Sequence, residues 1–161
     1  MPWPKKEQRS LVNNVGTNIF TRSVSEADEK LWDKLIETNL KSVFLASGQA
    51  AKRMKKQGSG KIVNISTIAA RKAAPGMGIY SVAKAGVEML TKVLAAELAP
   101  DHINVNAVAP GMVKTQFSKP FWSNESMLQE ITRTIPMGRI AETEDVVGAV
   151  LFLSSSLSDF I

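Results

Sequence analysis

The 161-residue chain has no cysteine. Disulfides, thiol nucleophiles and cysteine-ligated zinc are therefore excluded. The absence fits a reducing cytoplasm, where we expect the protein to work. Histidine is almost as scarce: His102, in the turn before a strand, is the only one. A Ser-His-Asp triad would have to use it, and nothing places a nucleophile near it. It reads as a surface loop residue. No apolar run approaches the roughly 18 residues a membrane span needs. The opening residues carry no secretory signal pattern. Gly58-Ser59-Gly60-Lys61 lacks the Gly-x4-Gly-Lys spacing of a phosphate loop. Internal repeats and low-complexity tracts are absent, and no metal site is assigned.

What is present is ordinary for a globular protein, with 44% hydrophobic and 22% charged residues. The length suits one domain with a real core. A net charge of +5 permits anionic ligands such as nucleotides, but the basic residues are scattered. Their densest cluster, Lys52-Arg53 with Lys55-Lys56, falls at a predicted helix end, where cations suit the dipole. A solvated helix terminus is preferred there over a nucleic-acid surface. Neither nucleic acid nor membrane is expected as a partner.

Residues 1–10 carry two prolines, a tryptophan and a charged run, a poor start for a strand or helix, and read as an irregular arm. Residues 11–161 form the domain. Leu11-Val12-Asn13-Asn14 ends a strand and breaks at Val15-Gly16. The two asparagines read either as an Asx turn or as the ligand-binding edge of an open α/β sheet. Ser25 is expected to cap a helix, with Glu26, Asp28 and Glu29 in its first turn. Apolar spacing from Leu31 runs to about Lys56, long for one helix. Asn39 is the expected interruption, because asparagine competes for backbone hydrogen bonds. It either marks a bend facing the site or lies exposed.

A second strand, 61–66, leads into a loop with Pro75, Gly76 and Gly78. A helix over 80–99 follows, apolar on more than one side, so that one face can cover the sheet and another can meet a partner subunit. Pro100 stops it, and 103–109 form a third strand that ends at Pro110-Gly111. Residues 112–139, with Phe117, Phe121 and Trp122, suit either a lid over a pocket or a plain covering helix pair. A last helix spans 144–153. The order predicts consecutive βαβ units and a parallel sheet.

Chemistry gathers at 61–84. Tyr80 and Lys84, four apart, share a helix face. An ammonium beside a phenol favours the phenolate, so the tyrosine pKa is expected to fall. Such a phenol can give or take a proton. Ser66 and Thr67 can donate hydrogen bonds to the same reacting oxygen. The stretch reads as a proton-transfer site for a carbonyl/alcohol pair.

Tyr80-x3-Lys84, the hydroxyls before it, Asn13-Asn14-Val15-Gly16, Asn39 and Pro110-Gly111-Met112-Val113-Lys114-Thr115 occur in one order. Together they resemble the short-chain dehydrogenase/reductases of the classical type, over about residues 11–161. A lone Tyr-x3-Lys is a weak signal; five motifs in order are a strong one. The resemblance implies a partial Rossmann-type, doubly wound α/β sheet. It also implies reversible hydride transfer between NAD or NADP and a carbonyl or secondary alcohol. Tyr80 resembles the family's acid/base, and Lys84 the lysine that binds the nicotinamide ribose and lowers the tyrosine pKa. Asn39 resembles the asparagine that holds a relay water. Asn13, Val15 and Gly16 resemble the turn that steadies the sheet and lines the adenosine side. Pro110, Gly111, Val113 and Thr115 resemble the segment that holds the nicotinamide, with Val113 as its backbone contact.

The family's serine lies thirteen positions before the tyrosine. Thr67 stands there, with Ser66 one position earlier; Thr67 is favoured as the donor, Ser66 being the alternative. The family's glycine-rich strand-turn-helix, which binds the pyrophosphate, is absent before Asn13. The expectation is an active-site half without much of the cofactor half and without the last strand, leaving a strand edge to be paired. The lid's aromatics suggest an apolar substrate, and the two long helices a homo-oligomer. The alternatives are an epimerase or dehydratase of the same fold, an inactive fragment, or a partner-binding subunit.

Overall fold

The computed structural model describes residues 9–161. The proposed arm therefore lies outside the described residues except at its end, where Ser10 already belongs to the first strand. Strand β1 (Ser10–Asn13) pairs in parallel with β2 (Gly60–Ile65), and β2 with β3 (Ile103–Val108). The three-stranded sheet has the order β1-β2-β3. Asn13, Ile65 and Val108 end at its carboxyl edge.

Alternation along β2 decides which side chains meet helices. Ile62 joins Ile103 and Val105 in a core closed by Ala50, Ala51 and Met54 of α2 (Ser42–Gln57) and Leu98 of α3 (Gly78–Leu98). On the opposite face α6 (Glu144–Leu153) packs against β2 and β3. Parallel sheets normally have both faces covered; here Val12 of β1 remains 42% exposed.

Local turns follow the chain's own chemistry. Helix α1 covers Glu29–Ile36 and is capped by Asp28, whose carboxylate accepts from Leu31 N at 2.7 Å. Ser25 is thus not the cap: Ser23 caps a separate 3-10 turn, Val24–Glu26, and the extended Ala27 breaks it from α1. Both acceptors are good caps, but only Asp28 lies where the backbone enters the helix. The expected interruption of the long helix exists as a π-turn, Glu37–Lys41, centred on Asn39 and flanked by α1 and α2. Helix α3 begins two residues earlier than its spacing predicts. His102 sits in a left-handed turn (φ 57°), exposed as expected. Lys55, in the basic cluster, pairs with Asp101 at 2.7 Å.

Within residues 112–139 two short helices form, α4 (Lys119–Trp122) and α5 (Glu125–Arg133). Beyond α6, Lys61 of β2 holds the last residues, reaching Asp159 at 2.6 Å and Ser158 Oγ at 3.3 Å. Among the described residues no helix is long and apolar enough to cross a membrane.

Candidate active site

The turn after β1 and the bend between α1 and α2 meet at Asn39, which is fully buried. Its Oδ1 accepts from Thr17 N at 3.0 Å, and its Nδ2 donates to the carbonyls of Thr17 at 2.9 Å and Leu35 at 2.8 Å. Asn39 is buried at the bend, so the reading of it as an exposed mid-helix residue fails. Gly16 fits against it: a methyl group there would stand 3.1 Å from Asn39 Oδ1 and 3.6 Å from Lys84 Nζ. Because its φ is not positive, glycine is needed at this position for space alone. Gly16, Asn39 and Lys84, far apart in sequence, are neighbours.

Lys84 lies on the first turns of α3 and directs its Nζ to the Ile65 carbonyl at 2.8 Å. The ammonium stands 5.8 Å from the centre of the Tyr80 ring. Both residues are buried. Burial pushes the phenol up to about 12 and the lysine down to about 8. The expected fall of the tyrosine pKa is thus reversed. Desolvation disfavours both charged forms, and the ammonium's hydrogen bond goes to a backbone carbonyl. Phe117 lies over Tyr80, the ring centres 6.0 Å apart and tilted by 39°.

The two candidate hydroxyls face different ways. Ser66 Oγ is buried and donates to Glu88 Oε1 at 3.1 Å. Thr67 is extended (φ −163°, ψ 155°), so its side chain alternates to the other side of the chain. Its Oγ1 accepts from Ala69 N at 3.3 Å and keeps its own proton to donate.

Asn13 turns inward from β1, its Nδ2 donating to Ser47 Oγ at 3.0 Å and Asn64 Oδ1 at 2.8 Å. Asn64 Nδ2 in turn donates to Thr91 Oγ1 at 2.8 Å. This buried chain ties β1, β2, α2 and α3 together; Asn13 thus braces the sheet, whereas Asn14 and Val15 are exposed. The spacing of the sequence does not single out Ser47, Asn64 or Thr91. Asn64 carried a usable signal, because it shares the helix-covered side of β2 with Ile62.

After β3, the Pro110 carbonyl accepts from Ile68 N at 3.0 Å, and Gly111 lies beside Ile68. Val113 bridges Ala141 through its neighbours: Lys114 N donates to Ala141 O and Ala141 N to Met112 O. The Val113 N–H is left without a partner among the described residues, while its carbonyl accepts from Ser118 Oγ. Thr115 and Ser118 cap one another, with Thr115 N donating to Ser118 Oγ at 3.0 Å and Ser118 N to Thr115 Oγ1 at 3.3 Å. Trp122 is used within this segment, its Nε1 bonded to Thr115 O and its ring beneath Lys114 Nζ. Two surface grooves of about 550 and 560 Å³ flank the site, one against Trp122 and Ile140, the other against Arg71 and Val82. Neither is lined by Tyr80.

Were a nicotinamide riboside to bind, the Val113 N–H and the Lys84 ammonium are the donors that would hold it, with room beside Gly16.

Comparison with known proteins identifies the family. A family model described as enoyl-(acyl carrier protein) reductase matches residues 8–161. The human dehydrogenase/reductase SDR family member 4 is 38% identical over 94% of this chain and 54% of its own length. Nodulation protein G of Azospirillum brasilense is 39% identical over 94% of this chain and 60% of its own. A gluconate 5-dehydrogenase of Burkholderia cenocepacia, solved with NADP and tartrate, superposes with a TM-score of 0.91 at 31% identity, covering 95% of this chain and 60% of that one. The chain thus spans little more than half the length of the proteins it matches. With the family model spanning nearly every residue and the same parallel sheet in the solved relative, the chain belongs to the short-chain dehydrogenase/reductase family.

Proposed function

We propose that the chain carries the acid/base half of an NAD- or NADP-dependent oxidoreductase that interconverts a carbonyl and a secondary alcohol. The observation that carries this reading is the convergence of Gly16, Asn39 and Lys84 behind a buried Tyr80. The nicotinamide, when bound, supplies or takes the hydride at the carbonyl carbon. Tyr80 gives its phenolic proton to the oxygen as the C–O double bond becomes single, and takes it back in the reverse direction. A protonated tyrosine, which burial favours, is the form reduction needs. Lys84 lies near enough to stabilise the tyrosinate that remains. Thr67 donates a hydrogen bond to the same oxygen.

Val113 N–H, Pro110, Gly111 and Thr115 would hold the nicotinamide, and the turn of Asn13, Val15 and Gly16 would line the adenosine side of the cofactor. Phe117, over Tyr80, supports a substrate with an apolar flank. NADP bound in the Burkholderia relative supports the cofactor class. Exposed Phe44 and Leu45 on α2, with Val82, Met89 and Val93 on α3, support a homo-oligomer through these helices. The cysteine-free sequence supports a cytoplasmic location.

The test is titration of NADH and NADPH, followed by a carbonyl panel. We expect weak binding by the 161 residues alone, and binding with turnover when a relative's glycine-rich first half is fused ahead of them. Tyr80→Phe should then abolish turnover. Full turnover in that variant would overturn the reading, and tight binding by the unfused chain would show the pyrophosphate turn to be dispensable.

A further inference from the structure

Three consecutive residues at the end of β2 are each tied to α3. Asn64 Nδ2 donates to Thr91 Oγ1 at 2.8 Å. The Ile65 carbonyl accepts from Lys84 Nζ at 2.8 Å. Ser66 Oγ donates to Glu88 Oε1 at 3.1 Å. The next residue is Thr67, the proposed donor. Strand and helix are therefore held in register at three successive points immediately before the group that must meet the reacting oxygen.

Glu88 is the unusual member. It stands on α3 four residues after Lys84 and eight after Tyr80, on the same face. Its side chain is only 13% exposed. Burying a carboxylate is costly unless it is paired and hydrogen-bonded, and this one is. Besides Ser66, it accepts from Arg71 Nε at 3.2 Å through Oε1 and at 2.9 Å through Oε2. Arg71 closes the 3-10 turn Ile68–Ala70, and Thr67 opens it. One carboxylate on the helix of Tyr80 and Lys84 thus grips the segment on either side of Thr67. An apolar residue would fill the space with no such grip.

We propose that Glu88 is a positioning residue: by holding Ser66 and Arg71 it fixes the Thr67 hydroxyl relative to Tyr80. The inference rests on Thr67 being the donor, and it gives Ser66 a role distinct from donation. Displacement of a reacting group by about 1 Å can lower a rate about a hundredfold, so a clamp at this point acts on turnover and not on nucleotide affinity.

The chain contains one tyrosine, so ring-carbon NMR of tyrosine-labelled protein reports Tyr80 alone, with neither cofactor nor substrate. Amide exchange on the same sample reports the segment. In Glu88→Ala we expect the amides of residues 68–71 to exchange at least about tenfold faster and the Tyr80 signal to shift, while β2 and β3 keep their protection. Glu88→Gln, which retains an acceptor for Ser66, should restore most of the protection. Ser66→Ala, which leaves the Arg71 contacts, should loosen the segment less than Glu88→Ala, and the double variant should be no looser than Glu88→Ala alone. In the fused enzyme, Glu88→Ala should lower kcat and leave KM for the nucleotide unchanged.

Unchanged exchange at 68–71 would overturn the proposal. So would equal loosening of β2, which would make Glu88 a general stabiliser, or additive effects in the double variant. If Glu88→Ala loosens the segment but Thr67→Val leaves turnover intact, the assignment of Thr67 fails and the clamp stands.

Discussion

Asn39 closes on both backbone polar groups of Thr17, accepting from its N–H at 3.0 Å and donating to its carbonyl at 2.9 Å. A single amide side chain thereby fastens the turn after β1 to the bend between α1 and α2. In Asn39→Ala both Thr17 groups and the Leu35 carbonyl lose the amide as a partner at a part-buried junction. A buried group left unpaired costs about 1–3 kcal/mol. We expect Asn39→Ala to lower stability by about 2–3 kcal/mol, read from the midpoint of urea unfolding at unchanged slope. A loss of only a few tenths would mean that water reaches the turn and replaces the amide.

Gly16→Ala tests the same junction from the other side. The added methyl would stand 3.1 Å from Asn39 Oδ1, tighter than ordinary contact, and 3.6 Å from Lys84 Nζ. Asn39 is held by three hydrogen bonds and cannot move freely. Overpacking of this kind costs roughly 1–3 kcal/mol. The distinguishing measurement is the double variant with Asn39→Ala. Once Asn39 is gone the methyl has room, so the Gly16→Ala penalty should largely vanish. Full additivity would show that the glycine serves some other need.

What the sequence displayed and what it concealed divide along physical lines. The β2–α3 unit was readable because its apolar spacing changes from strand to helix at a loop. The Tyr80–Lys84 spacing is a property of one helix. Asn39 was readable as an interruption because a polar residue broke a long periodic run. Glu88 was not, since a glutamate in a helix normally faces solvent; its burial is decided by Ser66 and Arg71, on a different element. The direction of the Tyr80 pKa was misread for the same reason. The neighbouring charge is visible in the sequence, but the burial of Tyr80 and the use of Lys84 Nζ on Ile65 are tertiary facts. Ser25 and Asp28 are both good capping residues, and only the path of the backbone through Ala27 decides between them.

The buried phenol and ammonium give opposite pH signatures. Tyr80 is raised from 10.0 to about 12. The folded chain therefore holds this proton longer than the unfolded one, and the stability this contributes, intact below pH 10, is lost as pH rises toward 12. Lys84 is lowered from 10.5 to about 8. The folded chain releases that proton first, so stability should rise from pH 8 toward 10.5. Lys84→Met should flatten the rise in urea titrations across that range. Tyrosinate absorbance, which reports Tyr80 alone, should show a midpoint near 12. Phe117→Ala, by admitting water, should bring it down toward 10. A midpoint near 10 in the unaltered chain would refute the burial account.

Thr67 and Ser66 make the last comparison. Thr67 is extended and its hydroxyl proton is uncommitted, whereas the Ser66 proton goes to Glu88. In the fused, cofactor-competent enzyme, Thr67→Val removes the donor at nearly constant volume. Loss of one such donor lowers kcat about 10²–10³-fold. Thr67→Ser should restore most of the rate, because it keeps the hydroxyl. Ser66→Ala acts only through the placement of Thr67 and should cost less, with the Thr67→Val/Ser66→Ala pair no worse than Thr67→Val alone. Retained turnover in Thr67→Val together with loss in Ser66→Ala would reverse the assignment. Ser66 would then have to swing away from Glu88 when substrate binds, breaking a hydrogen bond to a nearly buried carboxylate.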